Sequence, residues 1–177
     1  MISFFEKWDI LIAEYIHVKI KNPSLDFLLS RVNRGEIFIV ITLIFLYNSN
    51  VGEFLHPILY ISILAFINDR IVLIIKKRIS RKRPSLKILG KENNHPDLNH
   101  SFPSAHAANS MIAMILLVFI FKISPFFLLI SLFAGVGRMF TLHHFLSDVI
   151  GGWIIGFGMG LFGVFIYPYF QTFLNIF

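Results

Sequence analysis

Cysteine is absent from the 177 residues, which excludes disulfides and thiolate chemistry and leaves the redox compartment open. Acidic side chains are few, 10 against 16 Lys and Arg, and the formal net charge is +6, so the polar part of the molecule attracts anions. None of the polar clusters is the carboxylate-rich oxygen set that holds magnesium, and His143 and His144 are adjacent and poorly placed for zinc. No metal and no cofactor is expected, and neither nucleic acid nor a protein partner. No repeat and no second domain is visible. The start, MISFFEKWDILIAEYIHVKIK, has Glu6, Lys7 and Asp9 where a cleavable signal peptide needs an unbroken apolar run.

What the chain has in quantity is apolar surface. Hydrophobic residues make up 56% of it, with 21 phenylalanines, well above the share of a soluble domain. They gather into long runs, which points to a bilayer as solvent. The expectation is an all-α integral membrane helical bundle, with about five transmembrane helices and an N-terminal amphipathic interfacial helix. It forms one domain over residues 1–177, with 1–34 the interfacial segment and 35–167 the transmembrane bundle.

In the interfacial segment Phe4, Trp8, Leu11, Tyr15 and Val18 recur on one helical face, with Glu6, Asp9, His17 and Lys21 mostly off it. The alternative is a helix packed on other protein. Asn22-Pro23-Ser24 breaks this helix, and a second short amphipathic piece runs from Leu25 to Val32. The five spans are then Gly35 to Val51, Phe54 to Ile75, Ser104 to Phe121, Ser124 to Leu142 and Ser147 to Tyr167. The first is the weakest, because its solid apolar core, Ile37 to Tyr47, is short. Gly152, Gly156 and Gly160, four apart in the fifth span, form a stripe that lets another helix approach closely.

The one long polar stretch, Lys76 to Phe102, lies between spans two and three. Counting crossings brings three polar clusters to one membrane face: Lys76 to Pro84, Phe102 to Ser110 and Arg138 to Asp148. Lys76, Arg83 and Arg138 supply fixed positive charge suited to an anion with several oxygens, of which phosphate fits best. Pro103-Ser104 opens a helix, with proline in its first turn and free amides facing any bound anion; the Ser104 hydroxyl adds a donor. His144 and Asp148, four apart, share one helical face, where the carboxylate can fix the imidazole tautomer and leave the other nitrogen to attack. His106 is a second imidazole, suited to protonating a leaving alkoxide. His143 is about 100° round the helix from His144 and does not aim at the same phosphorus. Lys77, Arg78, Arg81 and Lys82 read as membrane-edge cations that snorkel or follow an orientation rule. Asp69, seven residues before Lys76, reads as a structural partner of Arg70 or of a site cation.

Lys76, then six residues, then Arg83-Pro84; Pro103-Ser104-Ala105-His106; and Arg138, five residues, His144, three residues, Asp148: jointly these spacings resemble the tripartite signature of the type 2 phosphatidic acid phosphatase superfamily, which also includes vanadium haloperoxidases. The resemblance covers residues 60 to 165. Gly137 stands where the family often has serine, and Ala105 replaces the usual glycine, so the backbone at 105 needs an ordinary φ. The chain resembles a version lacking the first of six spans, with the amphipathic start in its place. The resemblance implies a metal-independent lipid phosphatase. His144 attacks phosphorus to form a phosphohistidine, Asp148 orients it, and His106 protonates the leaving oxygen. Lys76, Arg83, Ser104 and Arg138 hold the phosphate oxygens.

Nearly all the Lys and Arg lie on the catalytic face and Lys122 stands alone on the other, which by the positive-inside rule would place the site in the cytoplasm. A phosphate site is basic for its own reasons, and the resemblance implies an inner-membrane protein with the site facing the periplasm or outside. The substrate is then a phosphorylated envelope lipid: lipid A 1-phosphate, undecaprenyl pyrophosphate or phosphatidylglycerol phosphate. A non-enzymatic binder of phosphate or acidic lipid would use the same cations but would not need His106 or the His144–Asp148 pair. A haloperoxidase would share the site but is usually soluble.

Overall fold

Two runs of the sequence are long and apolar enough to cross a bilayer, and each forms a single helix in the computed structural model of the protein. The structure describes residues 4–20, 22–32, 55–90 and 100–174, with single helical residues at 39, 40, 43, 44 and 47. The chain enters as α1 (Phe4–Tyr15), which continues as a π-helical turn, Ile16–Ile20. Next come α2 (Pro23–Val32), α3 (Leu55–Ile79), the short α4 (Pro84–Leu89), α5 (Ala105–Phe119), α6 (Leu128–Phe140) and α7 (Leu146–Leu174). The described elements are all helical, and only an isolated bridge between Lys82 and His100 has strand geometry.

The 25 residues of α3 reach about 38 Å and the 29 of α7 about 44 Å, more than a hydrocarbon core of ~30 Å requires. Only 22% and 28% of their most apolar stretches are buried. Phe66, Ile74, Ile154, Phe157 and Phe165 point outward instead, which suits helices solvated by lipid and not core helices of a soluble protein. The spans expected at Ser104–Phe121 and Ser124–Leu142 are shorter helices: α5 has 15 residues, and α6 has 13 after a 3₁₀ turn at Pro125–Phe127. The span expected over Gly35 to Val51 lies outside the described residues, apart from the single positions between 39 and 47.

Helix α5 is the axis of the bundle and packs against α3, α6 and α7. The glycine stripe of α7 makes that approach close. A Cβ on Gly152 would come within 2.4 Å of the Ser104 carbonyl oxygen, and one on Gly156 within 2.3 Å of that of Ala108. Lower in the bundle the face turns to α3, where the Tyr60 hydroxyl donates to the Gly163 carbonyl. Trp153 Nε1 donates to Ser131 O at 3.2 Å, and the Ser110 and Ser131 hydroxyls lie 3.1 Å apart, pinning α6.

Helix α1 has two faces, as the sequence implied. Phe5, Trp8, Leu11, Tyr15 and Val18 are exposed, while Ala13 and Ile16 pack on protein. One face packs on protein, as the alternative reading expected, and the other leaves Trp8, Leu11, Tyr15 and Val18 of the expected apolar stripe exposed. Asn22 caps α2 by accepting from Leu25 N at 2.8 Å, which places Pro23 at the first helical position, two residues ahead of the expected start.

Candidate functional site

Four helix ends meet at one end of the bundle: the C-terminal turns of α3 and α6 and the N-termini of α5 and α7. The backbone ties them directly. Ser104 N donates to Asp148 O at 2.9 Å, joining the starts of α5 and α7. Ser85 N donates to Leu142 O at 3.2 Å, and Ser101 N to Arg81 O at 2.8 Å, so the polar stretch after α3 folds over the same end.

The loop between α6 and α7 is turned by the Arg138 carbonyl, which accepts from both His143 N and His144 N. Leu142 takes a left-handed φ of 54° at this corner. Helix α7 starts only at Leu146, so His144 precedes the helix and does not share a helical face with Asp148 as the spacing suggested. The tight turn still brings them together: His144 Nδ1 lies 3.8 Å from Asp148 Oδ2. His143 does point elsewhere, with Nδ1 2.9 Å from Thr141 Oγ1, but the loop and not a helical rotation sets its direction.

Asp148 is fully buried and each of its oxygens is spoken for. Oδ2 accepts from Phe145 N at 2.7 Å and Oδ1 from Arg81 Nη1 at 2.6 Å. His144 is buried as well, and burial is the main force that pushes its imidazole down to about 3; Asp148 opposes this, and the neighbouring Arg138 and Lys76 reinforce it. His144 is thus neutral at neutral pH, with a lone pair to offer.

Of the other expected site residues, Ser104 is the N-cap of α5, its Oγ accepting from Ala107 N at 3.4 Å. Pro103 stands before that cap behind a cis peptide bond, not in the first helical turn. Ala105 is the first helical residue, with the ordinary backbone its side chain requires. His106 follows and lies within electrostatic reach of Arg138. Lys76 donates to His100 O at 3.2 Å. Arg83 lies close enough to Arg138 and Lys76 for their charges to repel, and burial pushes its guanidinium below the usual value despite Asp148. Among the described residues the buried Nε atoms of Arg83 and Arg138 and Nδ1 of His144 have no hydrogen-bond partner. Mutually repelling cations with unmatched donors, beside two helix N-termini, form a surface complementary to an oxyanion.

Several residues were missed from sequence. Arg81 does not snorkel: it bridges Asp148 and Asp9 and stacks 4.4 Å over the Phe145 ring. Its charge is held above the usual range, because Asp148 and Asp9 together outweigh the opposing effect of burial. Ser147 joins the same cluster, its backbone N donating to Asp9 Oδ1 at 3.0 Å. Among the described residues Asp69 makes no direct ion pair with Arg70 or a site cation, although its charge acts on Lys76 at longer range. It accepts from Asn109 Nδ2 at 2.9 Å, while Asn109 accepts from Asn68 at 2.6 Å and Arg70 lies over Phe66. Five like charges surround Arg81 in sequence and nothing there separates it from them; the only hint of Asp9 was its place off the apolar stripe of α1.

Fold and site together define a helical membrane bundle that gathers cations and histidines at one end. The model of the PAP2 superfamily matches residues 53–172, and the chain belongs to that family. A solved neighbour is the crystal structure of the first transmembrane PAP2-type phosphatidylglycerolphosphate phosphatase from Bacillus subtilis. It superposes with a TM-score of 0.69 over 93% of this chain and 86% of its own at 20% identity, a likeness of fold. No curated protein matches the chain at a significant level.

Proposed function

We propose that this protein is a lipid phosphatase of the inner membrane that removes a terminal phosphate from an envelope lipid through a phosphohistidine. Neutral His144 attacks phosphorus as the P–O bond to the lipid breaks, and His106, entering the step as the imidazolium, delivers its proton to the departing oxygen. Asp148 Oδ2 stabilises the imidazolium, which gains positive charge as the P–N bond forms. Water then attacks phosphorus, His106 takes its proton, and inorganic phosphate leaves with His144 restored. Lys76, Arg83, Arg138 and the Ser104 end of α5 hold the three outer oxygens, where charge builds in the transition state. The donor set is cationic, and the carboxylate beside His144, that of Asp148, is already engaged by Arg81, so the proposed reaction calls on no divalent ion.

The observation that carries this reading is the buried imidazole of His144, with the Asp148 carboxylate 3.8 Å from its Nδ1 and Lys76 and Arg138 near enough for their charges to act on it. A passive anion binder needs the cations but not that imidazole. The leaving group has room beside His106. A cavity of about 430 Å³ there has an apolar lining that includes Ile58, Ile61, Ala65 and Ala113, interrupted by Ser62, Asn109 and Ser110. Apolar walls suit a lipid tail. The phosphatidylglycerolphosphate named for the fold neighbour, lipid A 1-phosphate and undecaprenyl pyrophosphate are the candidate substrates, with the site facing the periplasm and the C-terminus in the cytoplasm.

The test is phosphate release from these three lipids by the purified protein and by His144→Ala. Release by wild type alone supports the assignment. Equal rates from both reject the nucleophile, and binding of lipid phosphate without release favours the passive binder.

A further inference from the structure

We propose that Asp9 is a positioning residue for the His144–Asp148 pair and acts through Arg81, which makes helix α1 part of the catalytic apparatus as well as a membrane contact. The inference rests on the function proposed above.

Asp9 lies 72 residues from Arg81 and 138 from Ser147 along the chain, yet it is buried against both. Arg81 Nη2 reaches Asp9 Oδ2 at 2.7 Å, while Nη1 reaches Asp148 Oδ1 at 2.6 Å. Nη1 also donates to Ser147 Oγ at 2.7 Å, and that hydroxyl donates onward to Asp9. The guanidinium is a planar fork, so fixing one prong fixes the other. Arg81 holds Oδ1 of Asp148 and Phe145 N holds Oδ2, so the carboxylate cannot turn about its own axis and Oδ2 stays 3.8 Å from His144 Nδ1.

Charge gives a second reason. Arg81 alone beside Asp148 would cancel the negative field that the nascent imidazolium needs. Asp9 offsets that cation: two carboxylates and one guanidinium leave a net negative charge, of which Asp148 Oδ2 lies 3.8 Å from His144 Nδ1. Burying the Asp9 carboxylate for anchorage alone would be a poor use of it, because a buried ion pair often contributes little net stability. Helix α1 has a second anchor in the ion pair between Glu6 and Lys87, which touches neither Asp148 nor His144, although Lys87 lies 5.9 Å over the Phe145 ring.

The Glu6 pair supplies the control. The full chain in mixed micelles is assayed with whichever of the three lipids wild type cleaves fastest, and rates are normalised to monodisperse folded protein. Asp9→Asn is expected to lower kcat about tenfold or more with KM within about twofold, because only the charged intermediate loses stabilisation. Asp9→Glu restores part of the loss. Arg81→Lys, which keeps the charge but loses the fork, falls as far, and adding Asp9→Asn to it costs little more, since both act on one path. Glu6→Gln stays within about twofold of wild type. Wild-type kcat in Asp9→Asn while His144→Ala is inactive overturns this inference and leaves the function standing. Equal losses in Asp9→Asn and Glu6→Gln overturn it too, by reducing Asp9 to an anchor. Absence of phosphate release from wild type overturns both.

Discussion

Gly156 of α7 packs directly on Ala108 of α5: a Cβ on the glycine would lie 2.3 Å from the Ala108 carbonyl oxygen and 2.8 Å from its Cα. The neighbour is backbone and cannot rotate aside, so any side chain must push the helices apart. Because Ser104 at the head of α5 donates to Asp148 at the head of α7, the separation reaches the site.

Gly156→Ala is accordingly expected to destabilise the protein by about 1–3 kcal/mol, the usual cost of overpacking, and to lower activity with it. Gly158, which meets nothing within 4 Å, tolerates the same change. Thermal melts of the two variants in one detergent check the difference.

The depressed imidazole of His144 has a consequence for acid stability. Its folded value of about 3 lies below the ~6.5 of an unfolded histidine, so between those limits the unfolded chain binds the proton first. Its contribution is complete above about pH 6.5 and is lost as pH falls towards 3. The apparent Tm should fall over this range, and His144→Asn should flatten part of the fall. An unchanged slope in the variant would show that other groups carry the effect.

Replacing Arg138 by lysine keeps the charge and removes the planar fork with its unmatched Nε. We expect kcat/KM to fall about 10²–10³-fold, as when a donor to a developing oxyanion is removed. A loss below fivefold would mean that Arg138 acts only as a point charge.

Chelation separates the proposed chemistry from metal-assisted hydrolysis. Activity should survive EDTA and dialysis, with added magnesium or zinc changing the rate less than twofold. Loss of turnover in EDTA that returns with one metal would reject the mechanism.

Much of this was legible in the chain. The apolar runs specified helices, since only helices and closed barrels satisfy the backbone in lipid. The glycine stripe marked a close helix contact, and the structure supplies α5 as its partner. The three motifs named the residues that collect at one end of the bundle, because helices crossing in alternate directions return them to the same face. The local geometry was less legible. Spacing suggested a helical pairing of His144 with Asp148, yet the helix begins two residues after His144, and a loop turned by the Arg138 carbonyl makes the contact. A four-residue interval does not say whether its residues lie in a helix or ahead of its cap.

What the sequence determined alone was the class of chemistry: cations, two imidazoles and a carboxylate at the ends of apolar helices. The tertiary structure alone decided which charges meet. Arg81 lies among like neighbours, and Asp9 is far from it along the chain; their pairing depends on how α1 lies across the ends of the bundle. Helical periodicity is a property of neighbours in sequence and can be read from one chain. An ion pair across 72 residues is a property of packing, where distance in space bears no relation to distance along the backbone.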